Sequence, residues 1–439
     1  GEQLEKHEIL KAKCLDILNK EGKDLSYAFN LIWEACSNME KYVQYGFNVS
    51  QRDKIFKPND WNSLEYKTLD EISESLKKET PTNSNEDSLA ETIKDLLASK
   101  LIEVQTTENE ETPDRFNTVI NFSNFLLHIL RLQTKQNIPL DDKRLIELFE
   151  PHLKNSKNVI AFVKEFGYNL LKGKFLFDKY IIKRELLKGE DRWSLKRLKW
   201  YEKNKVSYIN TFGDENENGH EGENREILML LSMFHVSAPT LVYKHWLNAA
   251  LKYVFEHEEI QSNDYKSYLK NLAKSIFDRF IAEEQLDYFE IIYTNNGIYK
   301  NTDIDISKLD QGTGVENFVF NYLDYLLWQK DRQEDKPKFE SFEYTFRSSV
   351  EHYYPQNPIE GNPKIDQKHL DNFGNLCLIS SRKNSRLSNF MPQAKKDFYQ
   401  NSATIGIDSI KQSLMMEFSN WNVSEIESHG KEMKELLLT

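Results

Sequence analysis

The chain contains 439 residues, of which 39% are hydrophobic and 29% are charged. This balance is typical of a soluble globular protein with two or three domains, and it excludes a collagen, a coiled-coil rod and a disulfide-stapled miniprotein. With 58 basic and 70 acidic residues, the net charge of −12 excludes a surface coated with nucleic-acid-binding charge but allows a local basic patch.

The cysteines and the apolar stretches predict the compartment. Cys14, Cys36 and Cys377 are too few and too scattered for a disulfide framework or a zinc knuckle, so we expect a reducing, cytoplasmic setting. The most apolar stretch, 227–242, is broken by polar residues and a proline, and it predicts no transmembrane helix. Residues 1–13 are charged from the start, which argues against a secretory signal.

Apolar residues at helical spacing predict helices over most of the chain. The pattern extends over residues 1–77, 115–200 and 225–330. A polar region separates the first two stretches and leaves room for one short helix, Leu89 to Leu101, and the polar segment 213–224 predicts a loop. These patterns predict a mainly α fold made of helical bundle domains.

The pattern changes after Pro337. Segment 342–350, FEYTFRSSV, alternates in the way that a strand does, and a polar loop follows at 355–367. Segment 375–380, NLCLIS, predicts a second short strand, and 381–389, SRKNSRLSN, predicts the start of a helix. The expected order is therefore strand, loop, strand and helix.

The first of these strands ends in VEHYYP, which places Glu351 beside His352, and Asn375 and Asn384 follow later in the chain. Neighbours on a strand point to opposite faces, although a distorted strand end can bring such a pair around one ion. A neutral imidazole can take a proton from water near pH 7, and carboxylate and amide oxygens suit Mg²⁺. These residue types fit the hydrolysis of a phosphodiester.

The elements EHYYP, GNLCLIS and NSRLSN resemble, in this order, the HNH (ββα-metal) nuclease motif. The resemblance implies a small ββα-metal unit embedded among the helices. It implies that His352 is the general base and that Asn375 orients it. It also implies that Glu351 and Asn384 are the ligands of Mg²⁺ or Mn²⁺.

A resemblance to one more specific family covers a longer part of the C-terminal region. HLDNFGNLCLIS, KNSRLSN, FMPQAKKDFY and WNVSEI are similar to the C-terminal nuclease domain of the GmrSD-type, modification-dependent (type IV) restriction endonucleases. Residues 1–13 resemble the end of that family's N-terminal nucleotide-hydrolysing domain, and we expect the rest of that domain to be missing here. Ser380 and Lys383 stand where many HNH enzymes have zinc-binding cysteines, so we expect no structural zinc.

We therefore predict three domains. Residues 1–115 are a helical region with the tail of a nucleotide-hydrolysing domain and a linker, residues 116–335 are a helical middle domain, and residues 336–439 are an HNH-type nuclease domain. The predicted function is a metal-dependent DNA endonuclease of a restriction or phage-defence protein, acting on modified or foreign DNA. The alternative is a helical DNA-binding or regulatory module with a vestigial, inactive nuclease unit.

Two basic stretches predict contact with DNA. Segment 379–396 has five basic residues and no acidic one, and these are expected to bind DNA phosphates, unless they are only a solvated helix face: Arg382, Lys383, Arg386, Lys395 and Lys396. Segment 172–205 has twelve basic and five acidic residues with interleaved aromatics. It predicts either DNA contact or an amphipathic helix with a basic outer face. The expected partners are DNA and the missing domain, without a membrane, and a homo-oligomer stays open.

Overall fold

The computed structural model describes residues 5–77, 115–154, 158–187, 189–201, 206–214, 222–300, 303–387, 389–401 and 407–439. The chain divides into two compact units, Gly1–Ile209 and Asn210–Thr439. Most described residues are helical, which confirms the prediction of a mainly α fold with small strand pairs. The predicted helix Leu89 to Leu101 lies outside the described residues, and the three predicted domain borders stay predictions. None of the described helices is long and apolar enough to cross a membrane.

The first unit is built around its longest helix, α7, against which α2 packs Phe29 and Trp33 into the core. Its helices are α1 (Lys6–Asn19), α2 (Lys23–Ser37), α3 (Val49–Ile55), α4 (Leu69–Lys77), α5 (Phe122–Thr134), α6 (Leu145–Lys154) and α7 (Val159–Tyr180). Its strands are β1 (Phe116–Asn117), β2 (Lys183–Leu187), β3 (Glu190–Ser194), β4 (Lys196–Trp200) and β5 (Val206–Asn210). The strands form the sheets β1-β2-β3 and β4-β5.

The helix predicted up to Trp200 is wrong after Tyr180, because β2 to β4 occupy this part of the chain. Strands β2 and β3 are an antiparallel hairpin, in which Gly189 has a φ of +82° in the tight turn. A glycine in the left-handed region is a hairpin signal that helical spacing overlooks. Leu198 of β4 and Leu195, which lies between β3 and β4, are both buried.

The basic stretch 172–205 is partly neutralised by acidic residues of the same stretch. Each of three cations on β2, β3 and β4 lies within 3.0 Å of a carboxylate oxygen: Arg184 with Asp191, Arg192 with Glu190, and Lys196 with Glu185. The pairs of Arg184 and Arg192 have partly exposed side chains and contribute little stability. All three pairs lower the net positive charge of the stretch. Contact of this stretch with DNA stays a prediction.

The second unit contains the motifs of the predicted nuclease. Its helices are α8 (Gly222–Ser237), α9 (His245–Glu256), α10 (Ser262–Ile281), α11 (Asn317–Asp331), α12 (Gln367–Leu370), α13 (Ser381–Leu387), α14 (Pro392–Gln400), α15 (Ile410–Glu417) and α16 (Val423–Leu438). Its strands, β6 (Ser349–His352) and β7 (Leu376–Ile379), form one antiparallel pair. Helix α11 lies at the centre of the unit, because α8, α15, α16 and β7 all contact it.

A buried ion pair ties α11 to the segment that leads into β6. Arg347 Nη1 lies 3.1 Å from Asp324 Oδ2, and Arg347 Nη2 donates to Asn321 Oδ1 at 2.7 Å. The Tyr344 hydroxyl donates to the Asn321 carbonyl at 2.8 Å. The predicted strand 342–350 is therefore wrong before Ser349, where β6 begins. In the segment before it, Tyr344 and Arg347 bind α11 through their side chains.

Helix α16 starts from a capping box, in which Asn422 and Glu425 bond each other's backbone N–H groups. The helix passes against the turn before β7 so closely that no side chain fits between them. A Cβ added to Gly374 would lie 1.9 Å from the Ile426 carbonyl oxygen and 2.7 Å from the Gly430 nitrogen. Gly374 is therefore required by this close approach of two backbones.

We predict that Gly374→Ala lowers the free energy of unfolding by about 3 kcal/mol, because the backbone atoms that meet the new methyl cannot give way without moving α16. Gly314→Ala is the matched control, since its nearest neighbour, Gln311 Cβ, would lie at an ordinary 3.6 Å. Urea unfolding of both variants measures the difference. Equal stability of the two variants would contradict the packing described here.

Candidate active site

The candidate site is built on the pair β6 and β7 and on the helix that follows it. Glu351 lies opposite Cys377 and His352 opposite Leu376, and the Tyr353 N–H extends the pairing by donating to the Asn375 carbonyl at 2.8 Å. Helix α13 begins two residues after β7 ends. The predicted order of strand, strand and helix is present, with a shorter first strand.

His352 is half-buried at the end of β6, and its Nε2 lies 3.0 Å from Asp371 Oδ1. The second carboxylate oxygen of Asp371 accepts a hydrogen bond from Gln367 Nε2 at 2.5 Å. In the tautomer in which Nε2 donates to Asp371, Nδ1 carries the free lone pair. The geometry thus supplies an oriented imidazole that can accept a proton.

Asp371 was missed by sequence reasoning, which expected Asn375 to hold the imidazole. The sequence feature that could have indicated Asp371 is its position in HLDNFGN, four residues before Asn375. A glycine makes room for this carboxylate: Gly312 has a φ of +56°, and a Cβ there would lie 2.4 Å from Asp371 Oδ1. The Gly312 N–H also donates to the Asp371 carbonyl at 3.3 Å.

Asn375 holds the chain around His352 and does not bond the imidazole. Its Oδ1 accepts from the Tyr354 N–H at 2.7 Å and from Trp421 Nε1 at 3.2 Å. Its Nδ2 donates to the carbonyls of Tyr354 at 3.1 Å and Leu370 at 3.0 Å. These four bonds use the full capacity of the amide. Asn375 therefore fixes the segments that carry His352 and Asp371.

Glu351 is buried next to the ammonium group of Lys395, whose Nζ lies 2.8 Å from Glu351 Oε1. Burial raises the pKa of the Glu351 carboxyl above its ordinary value, although Lys395 lowers it in opposition. Glu351 Oε2 accepts no hydrogen bond from any residue that the structure describes. A buried carboxylate oxygen in this condition suits a cation.

The prediction that Lys395 binds a DNA phosphate is wrong. The side chain is fully buried and cannot present its charge to DNA. The reason is the packing of α14: its first residue, Pro392, accepts a hydrogen bond from the Tyr353 hydroxyl at 3.3 Å. Lys395 follows one turn later on the same side of the helix. It is thereby directed at β6 instead of at solvent.

Asn384 lies on α13, half-buried, and its amide donates to the hydroxyl of Ser349. Ser349 and Glu351 lie two residues apart on β6 and so share one face of the strand. The structure therefore brings both predicted metal ligands to the same face. His352 points to the other face, toward Asp371.

The remaining predicted phosphate contacts differ in exposure. Arg382 and Arg386 are exposed on α13, and the Arg386 guanidinium lies 4.9 Å from the centre of the Phe398 ring. Lys383 pairs with Asp408 at 2.8 Å, and Lys396 reaches the Phe418 carbonyl at 3.5 Å. The two arginines are therefore the members of this set with the most accessible charge.

A metal at this site would have few protein ligands. Within the described parts of the chain, no group of three or more His, Cys, Asp or Glu side chains could hold a metal ion. Glu351 Oε2 and the amide oxygen of Asn384 offer two hard oxygen ligands. This fits Mg²⁺, which usually keeps several waters and binds through one or two protein oxygens together with substrate phosphate.

Comparison with known proteins finds one family that this region resembles. Residues 300–436 match the family described as GmrSD restriction endonucleases, C-terminal domain. The match contains β6, β7 and α13, and it begins early enough to contain Gly312. No curated protein and no solved structure matches the chain. The resemblance predicted from the C-terminal motifs is confirmed: residues 300–436 of this chain are similar to the C-terminal domain of the GmrSD restriction endonucleases.

Proposed function

We propose that this restriction endonuclease domain is of the HNH (ββα-metal) type and hydrolyses phosphodiester bonds of modified or foreign DNA with Mg²⁺ or Mn²⁺. The observation that carries the proposal is His352, which stands at the end of the first strand of a strand–strand–helix unit with its imidazole bonded to Asp371 at 3.0 Å. A histidine held in one tautomer at such a place is suited to proton transfer.

In the proposed reaction, Nδ1 of His352 takes a proton from the attacking water. Asp371 holds the ring in the tautomer that leaves this nitrogen free, and its negative charge favours the imidazolium that forms. Gln367 holds the far oxygen of Asp371, so the carboxylate cannot rotate freely away from the ring. Asn375 keeps both segments in place through its bonds to Tyr354 and Leu370.

Glu351 and Asn384 would hold the divalent cation. The bound ion would neutralise the charge that develops on the scissile phosphate. The free oxygen of the buried Glu351 carboxylate and the position of Asn384 above Ser349 support this assignment. Arg382 and Arg386, which are exposed on the adjacent helix, would contact phosphates of the DNA backbone.

One observation favours the alternative of an inactive nuclease unit. The Glu351 carboxylate is already paired with a cation of the protein, Lys395, at 2.8 Å. If that pair never admits a metal, the domain would bind DNA without cutting it. The responses of His352, Asp371 and Asn384 variants to metal and to substrate separate the two functions.

We predict that His352→Ala lowers plasmid nicking about 10²–10⁴-fold, the usual contribution of positioned proton transfer. The fold and DNA binding should persist, because the substitution leaves Arg382 and Arg386 in place. Nicking is measured on supercoiled plasmid, and binding by gel shift in EDTA. If the variant nicks as fast as the parent, in a preparation free of contaminating nuclease, His352 is not the general base.

We predict that Asp371→Asn lowers nicking about 10–100-fold, the common effect of losing the group that orients a functional histidine. The matched control is Asp366→Asn: Asp366 lies in the same segment, and its carboxylate bonds His369 instead of His352. Single-turnover nicking rates should fall for the first variant alone. Similar rates for the two variants would mean that Asp371 does not orient the base.

We predict that Asn384→Ala raises the Mg²⁺ concentration for half-maximal nicking about 10-fold, because it removes one oxygen ligand. Asn384→Asp is the matched control, since it keeps an oxygen in the same place and should need no more Mg²⁺ than the parent. A Mg²⁺ titration of the nicking rate gives both values. An unchanged requirement in Asn384→Ala would exclude this residue as a ligand.

A further inference from the structure

We infer that Lys395 is a positioning residue: an internal counter-ion that keeps the buried carboxylate of Glu351 in place and fixes the end of β6 for catalysis. The inference rests on the proposed function, because it concerns the carboxylate that would hold the metal. It replaces the role in phosphate binding that the sequence predicted for this lysine.

The contacts of the ammonium group carry the inference. Lys395 Nζ lies 2.8 Å from Glu351 Oε1, and it donates to the carbonyls of His352 at 2.9 Å and Tyr353 at 3.2 Å. Two of its N–H donors are used by these carbonyls, and its charge is paired with the Glu351 carboxylate. Lys395 therefore contacts three consecutive residues at the end of the strand, and its buried ammonium faces away from solvent.

The ion pair of Lys395 with Glu351 matters for stability because it is buried. Lys395 is 0% exposed and Glu351 is 3% exposed, so neither charge is solvated by bulk water. Removing one partner of a buried ion pair leaves the other charge uncompensated, whereas removing both is much less harmful. Lys395 thus supplies a cation of the protein itself next to the buried carboxylate.

The same group also sets the direction of the chain at the catalytic residue. The carbonyls of His352 and Tyr353 both point at Nζ, which fixes the peptide planes on either side of Tyr353. The imidazole of His352 then projects to the opposite face, where Asp371 meets it. One cation therefore holds the candidate metal ligand on one face and helps to place the candidate base on the other.

The test compares four variants of the full chain by thermal melting in EDTA and in Mn²⁺. Lys395→Met removes the charge and keeps the length, and Lys395→Arg keeps a charge. The double variant Glu351→Gln/Lys395→Met removes both charges. Lys431→Met is the matched control, because the Lys431 side chain is 77% exposed and far from these contacts in the sequence.

In EDTA, Lys395→Met should lower the Tm by about 5–10 °C, while Lys431→Met should stay within about 2 °C of the parent. The double variant should regain at least half of the loss, because no uncompensated charge remains. Mn²⁺ should raise the Tm of Lys395→Met by more than that of the parent, since the ion takes the place of the missing cation. A lysine that only packs would not produce this difference.

The outcomes separate the inference from the function it rests on. If Lys395→Met melts like the parent, or if the double variant is less stable than either single change, the inference is wrong. If the double variant recovers but no variant responds to Mn²⁺ and the parent does not nick plasmid, the counter-ion role stands and the metal-dependent nuclease function fails. If Lys395→Met does not fold, recovery of soluble protein in the double variant supports the counter-ion role, and its absence overturns it.

Discussion

The arrangement of the site depends on the hydrogen bonds of the Asn375 side-chain amide. Its four hydrogen bonds join the chain after β6, the carbonyl of Leu370 and the indole of Trp421, within a fully buried position. The neighbouring Gly374 has no side chain, so the backbone of α16 packs directly against the turn that contains Asn375. The separate motifs of the C-terminal region are therefore parts of one packed unit.

Because side chains alternate along β6, the residues of the site lie on two opposite faces of the strand. Ser349, Glu351 and Tyr353 lie on one face, where Asn384, Lys395 and Pro392 cover them in turn. His352 lies on the other face against Asp371. A one-residue step thus separates the ion pair of Glu351 with Lys395 from the imidazole of His352 with Asp371.

Sequence reasoning predicted the mainly helical fold, β7, the helix that starts near Ser381 and the family, because these depend on local spacing and short motifs. It placed Lys395 on the surface, since a charged residue in a basic segment is usually exposed and only the docking of Pro392 on Tyr353 turns it inward. It missed Asp371, whose partner is distant in sequence. It also extended β6 backward to residue 342, because it could not foresee that Tyr344 and Arg347 bind α11.

Nicking of a supercoiled plasmid by the purified parent chain, in Mg²⁺ and in EDTA, tests the central claim most directly. The account predicts conversion to the relaxed form in Mg²⁺ and none in EDTA, because the oriented imidazole alone cannot neutralise the charge of the scissile phosphate. Undiminished nicking in EDTA, or none in Mg²⁺ or Mn²⁺ by a folded chain that binds the plasmid, would contradict it.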